Sequence, residues 1–104
     1  MALIPEFLPD IEGFQWDEGN STKNWKRHQV SQTEAEQVFR NRPVVIGPAG
    51  AGSEQEACHI ALGRTDGGRL LFVVFTLRGS LIRVISARLM SRRERRAYEQ
   101  AILP

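Results

Sequence analysis

The side chains in this sequence suited to chemistry on a phosphodiester are Lys23, Lys26, Arg27, His28, Arg83, Arg88, Glu94 and Tyr98. Cleavage of RNA by its own 2′-hydroxyl needs one group to take a proton and another to give one to the leaving oxygen. It also needs cations to steady the charge gathering on phosphorus. Arginine and lysine meet the last need, and histidine, glutamate or tyrosine the first two, so neither metal nor cofactor is expected. The catalytic candidates are Arg83, Lys26, His28, Arg88, Glu94 and Tyr98. Lys23, Arg27, Arg64, Arg92, Arg93 and Arg96 are candidate contacts for RNA or for an acidic protein.

Plainer roles are open to most of them. His28 would end a helix, where a cation suits the dipole. Glu94 is accounted for by capping its own helix, Tyr98 falls on an apolar helix face, and Arg92, Arg93 and Arg96 can simply solvate one. Arg83 is harder to dismiss, because a charge between Leu81 and Ile85 on a half-buried strand face wants an anionic partner. Standard catalytic motifs are missing: there is no Walker A loop, no GxSxG and no paired-histidine metal spacing. The stretch Gly47 to Gly52 (GPAGAG) lacks the Lys-Ser/Thr that holds nucleotide phosphates and reads as a loop.

The charges are unevenly distributed. Residues 1–62 hold five Lys/Arg against nine Asp/Glu, whereas residues 63–104 hold nine arginines against Asp66, Glu94 and Glu99. Arginine presents a planar fork matched to phosphate and carboxylate oxygens, so charge alone points equally to nucleic acid and to an acidic protein. Cys58 is the only cysteine, which rules out an internal disulfide and suits a reducing compartment. With His59 alone beside it, Cys58 is too little for a zinc site. The apolar run Leu70 to Leu77 is too short to span a membrane, and the N-terminus MALIPEFLPDIEG carries acids and prolines rather than the pattern of a signal peptide. A cytoplasmic protein without membrane contact is therefore expected. The length, 104 residues, suits one domain, assigned to 14–104 after an irregular leader at 1–13.

An α+β fold should position these groups. Phe14-Gln15-Trp16 reads as a short strand with both aromatics on one face, and Asp17 can cap a helix running to His28. Ser31-Gln-Thr-Glu34 has capping-box spacing and opens a helix with Ala35, Val38 and Phe39 on one face, ended by Pro43. Val44 to Ile46, Cys58 to Leu62, Leu70 to Leu77 and Leu81 to Ser86 read as strands, with turns at Asp66-Gly67-Gly68 and Arg78-Gly79. Leu70 to Leu77 is apolar at every position but Thr76, as in a central strand covered on both sides, with Phe72, Val74 and Phe75 expected among the most buried residues. Ser91-Arg-Arg-Glu94 is a second capping box, opening a last helix. The expected architecture is an antiparallel β-meander with two N-terminal helices and one C-terminal helix.

Read in order, these segments resemble the BrnT family of toxins from bacterial toxin–antitoxin pairs, a family similar in fold to RelE-type ribonucleases. The N-terminal part looks like an FxWD signature at Phe14, Trp16 and Asp17, followed by Asn24, Arg27, His28 and Val30 and by the helix Glu34 to Phe39. The C-terminal half is more specific: Ile60-Ala-Leu-Gly63, Gly68 to Thr76, Arg78-Gly79, Ile82 to Arg88, Arg92-Arg-Glu94 and Tyr98 follow the family pattern. The chain departs from it at Asn20 and Cys58, where the family tends to carry lysine and arginine, and at Arg27 and Gln29. The resemblance implies an endoribonuclease that slows translation by cutting RNA. It also implies neutralisation by a BrnA-like antitoxin in a hetero-oligomer, with operator DNA reached only through the antitoxin's ribbon-helix-helix domain. Two other readings stay open: a degenerate member that binds its antitoxin and helps repress transcription without cleaving, and a basic nucleic-acid-binding module unrelated to toxins.

Overall fold

The capping boxes start both bounded helices where the sequence places them. The computed structural model describes residues 11–17, 19, 25, 27–48 and 58–103. Helix α1 (Gln32–Arg40) begins with the Ser31 hydroxyl accepting from the Glu34 N–H at 3.1 Å, while Glu34 Oε1 accepts from the Ser31 N–H at 3.3 Å. Its second oxygen accepts a 2.7 Å bond from Arg69, which ties the start of the helix to the far side of the sheet's turn. Helix α2 (Arg92–Ala101) opens in the same way on Ser91 and Glu94. Three helices were expected. The first, from Asp17 to His28, falls largely outside the described residues, with Gly19, Trp25, Arg27 and His28 helical. Lys23, Lys26, Asn20, the leader at 1–10 and the loop at 49–57 also lie outside them.

The strands are β1 (Gly13–Phe14), β2 (Val45–Pro48), β3 (Cys58–Arg64), β4 (Leu70–Arg78) and β5 (Leu81–Leu89), in the order β1-β5-β4-β3-β2. β2 to β5 pair antiparallel in chain order, with β4 central. The expected antiparallel meander is not matched by the sheet, which is mixed, because β1 joins the outer edge of β5 in parallel, with Gly13 beside Leu81 and Phe14 beside Ile82. A two-residue strand carries too little periodicity to declare its direction. What holds it is packing, since the Phe14 ring lies 5.5 Å from Phe39 on α1 and the Trp16 indole N–H donates to Glu36 at 2.8 Å. Gln15 and Trp16 are accordingly outside the strand, and Gly47 and Pro48 belong to β2 rather than to the loop. Gly68 and Gly79 turn the hairpins with φ of 88° and 61°, which L side chains resist.

α1 covers one face of the sheet. Ala35, Val38 and Phe39 pack there on Leu71, Val73, Phe75, Ile82, Val84 and Ala87, with Phe39 edge-on to Phe75 at 5.0 Å. Tyr98, Met90, Val45 and Leu62 form a smaller cluster on the other face. Leu71, Val73 and Phe75 are therefore sealed on the α1 face of β4, and Thr76 is sealed on the opposite face, beside Arg83. Phe72 and Val74, expected beside Phe75 among the most buried residues, point to that opposite face and are half-buried.

Gly63 lets α1 approach. A Cβ there would stand 2.9 Å from Val38 Cγ1 and 3.2 Å from the Val38 carbonyl oxygen. Gly63→Ala should cost about 1–3 kcal/mol through forced displacement of the helix, read as a lower midpoint in thermal and urea unfolding. An unchanged midpoint would mean that α1 lifts from the sheet without cost.

Candidate functional site

β5 carries the two arginines singled out from the sequence. They are five positions apart, an odd spacing that puts side chains on opposite faces of an unbroken strand. The β4–β5 ladder slips between them: Val74 pairs with Ser86 but Phe75 with Val84, leaving Ile85 as the extra residue of a bulge. The slip resets the alternation. Arg83 lies opposite Thr76 and Arg88 opposite Phe72, so both arginines project from the face turned away from α1, about 15 Å apart along the strand.

Each guanidinium is held by a carboxylate. Arg83 donates to Asp17 Oδ2 at 2.9 Å, with the arginine side chain 20% exposed and the aspartate 55%. Asp17 is aimed there by the anchoring of Phe14 and Trp16 on α1. Arg88 meets Glu94 through two parallel bonds of 2.8 Å, a fork-to-fork pair, and its guanidinium carbon sits 4.2 Å over the Phe72 ring. Glu94 thus serves the α2 cap and Arg88 together. The Arg88 hydrogen bonds, opposed by partial burial and aided by the Ser91 N–H, hold the Glu94 carboxyl below the usual carboxylate value. The same pairing raises Arg88 further above neutrality.

The remaining candidates are spread more widely. Tyr98 is buried and donates its hydroxyl to the Pro43 carbonyl at 2.7 Å, and burial pushes that hydroxyl's pKa up. His28 is half-buried and Arg27 exposed at the end of the helical segment before α1. Arg64 is exposed at the end of β3, opposite Leu70, and donates to the Arg42 carbonyl at 3.0 Å. Arg92, Arg93 and Arg96 are exposed on α2. Lys23 and Lys26 lie outside the described residues. Cys58 is paired with Thr76, itself paired with Arg83, so its position belongs to the same sheet face.

The sequence offers Asp17 as a helix cap and gives no sign of its part at Arg83. The signal available was Arg83's need for an anion, but nothing local names an acid 66 residues away. Phe72 reads from the sequence as core, and its place under Arg88 depends on the bulge. Among the described residues, no helix is long and apolar enough to cross a membrane.

The geometry defines a small α+β protein with arginines set on one partly open sheet face. Comparison with known proteins specifies the class further. The family model described as the ribonuclease toxin BrnT of type II toxin–antitoxin systems matches residues 16–94. The chain therefore belongs to the BrnT family of ribonuclease toxins. The match spans both ion pairs, from Asp17 to Glu94. In fold, the chain is similar to the crystal structure of the Brucella abortus ribonuclease toxin BrnT, with a TM-score of 0.58 and 24% identity over 77% of this chain and 97% of that one. No curated protein matches it. Membership in a type II family implies an antitoxin partner and an RNA target.

Proposed function

We propose that this chain is a metal-independent endoribonuclease that inhibits translation by cutting RNA. In this reading a BrnA-like ribbon-helix-helix antitoxin neutralises it in a hetero-oligomer in the cytoplasm, and operator DNA is reached only through that partner. The fold likeness to RelE-type ribonucleases is part of the proposal, as is one domain over 14–104. The observation that carries it is the placing of Arg83 and Arg88 on one sheet face by the bulge. There they can supply the positive charge that a phosphorane-like transition state needs.

The reaction is a transesterification. The 2′-oxygen attacks phosphorus, the bond to the 5′-oxygen breaks, and a cyclic phosphate and a 5′-hydroxyl result. One proton leaves the 2′-hydroxyl and one arrives at the 5′-oxygen. Glu94 has both oxygens occupied and is held ionised, and Tyr98 already donates its proton to Pro43 and is buried. Both suit positioning better than proton transfer, which we assign to His28, taking the 2′ proton and returning one to the 5′-oxygen, with Lys26 adding positive charge. Purified chain incubated with total RNA should cleave it equally with and without EDTA. Cleavage abolished by the chelator would overturn the mechanism.

One observation favours the degenerate reading. Both arginines already hold a carboxylate, and Cys58 stands on their face in place of a cation. A chain acting only as antitoxin partner and co-repressor would leave growth unaffected on induction, whereas a ribonuclease would arrest it.

A further inference from the structure

Helix α2 carries its charges in an arrangement that works against its own stability. Arg92, Arg93, Arg95 and Arg96 occupy its first two turns, all exposed, and among the described residues their side chains make no ion pair or hydrogen bond. Cations at a helix start oppose the macrodipole. Arg92 and Arg96 are an i,i+4 pair of like charge, and Arg92–Arg95 and Arg93–Arg96 are i,i+3 pairs. A face needing only solvation would be better served by acids here, as Glu94 is. The last turn, where cations would stabilise the helix, has none.

The cluster adjoins the candidate site. Glu94, inside it, grips Arg88 through two 2.8 Å bonds, which joins the start of α2 to one of the two candidate-site arginines. We propose that these four arginines form a docking rail for the sugar-phosphate backbone of single-stranded RNA beyond the scissile bond. They would set affinity for long RNA and take no part in the chemistry. The occupant is a polyanion with regularly spaced charge, which unpaired guanidinium groups spread around a helix's outer face match better than one carboxylate. The inference deepens the ribonuclease reading, but its binding test does not require cleavage.

The test compares the full chain with a variant in which the four arginines become glutamine, which has similar helix propensity. A labelled 20-nucleotide oligouridylate and the trinucleotide UpUpU serve as probes across a salt series. The slope of log affinity against log salt for the long RNA should become shallower by about 2–3, since each lost phosphate contact on a single strand removes about 0.7. Long-RNA affinity at low salt should fall at least tenfold, and affinity for UpUpU should fall far less. The Tm should rise by about 2–6 °C, because the groups removed oppose the dipole and repel one another. Unchanged salt slopes would reduce the cluster to a solvated face, and equal losses on long and short RNA would place it in the reaction centre. Loss of affinity for the antitoxin with the RNA slope intact would assign the rail to the protein partner. Each of these three results overturns the inference. If the wild type binds long RNA with a steep slope lost in the variant, yet cleaves nothing, the ribonuclease reading fails and the rail stands.

Discussion

Arg83→Ala is expected to slow RNA cleavage by more than tenfold while leaving the fold intact. Tenfold corresponds to about 1.4 kcal/mol of transition-state stabilisation. Removal of one preorganised donor from an enzyme site commonly costs about 10²–10³-fold. Arg83 meets the conditions for an effect of that size. Its side chain is largely shielded, its guanidinium is fixed by Asp17 at 2.9 Å, and it stands on the sheet face that also bears Arg88. The fold should tolerate the change, because the abandoned Asp17 carboxylate is 55% exposed and can be solvated, and such pairs contribute at most about 1 kcal/mol. Single-turnover cleavage of labelled RNA, with circular dichroism as the control, is the measurement. Arg83→Lys should recover part of the rate, since it keeps the charge but loses the fork. A folded Arg83→Ala protein cleaving at the wild-type rate would sink the assignment of the site.

A large effect on stability is expected at Glu94. Glu94→Gln exchanges two charge-assisted bonds to Arg88 for at most one neutral one and weakens the return bond to the Ser91 N–H, a loss of about 2 kcal/mol. The pH dependence follows from the depressed carboxyl. Its contribution is fully present above the ordinary glutamate pKa of about 4.3 and is lost as pH falls through the lower folded value. Arg88, held further above its ordinary value by the same pair, stays charged throughout and adds no dependence between acid and neutral pH. Urea midpoints of the wild type should thus hold level from neutrality to about pH 5 and fall below it. The variant should start lower and fall less steeply in acid. Parallel curves for the two proteins would show that the pair contributes nothing through its charge.

Much of this molecule was legible in its sequence, and what was legible is local. The spacing Ser31–Glu34 and Ser91–Glu94 closes hydrogen bonds within three residues, so both bounded helices start where expected. Strands β3 to β5 follow from apolar runs and from turns that need Gly68 and Gly79 at positive φ. The order of motifs from Trp16 to Glu94 is itself a string property, and it led to the family that the comparison then established.

The site was half legible. Arg83 stood out because a charge among Leu81 and Ile85 needs an anion, yet the anion, Asp17, is brought there by Phe14 and Trp16 gripping α1. Arg83 and Arg88, placed on opposite faces by plain alternation, share one because the β4–β5 ladder slips at Val74/Phe75. β1 runs parallel because an aromatic contact with a helix decides its place. Periodicity and capping act over a few residues and are written in the chain. A strand slip and an ion pair spanning 66 residues arise only when separate elements compete for the same packing and hydrogen bonds, so the tertiary structure alone decided them.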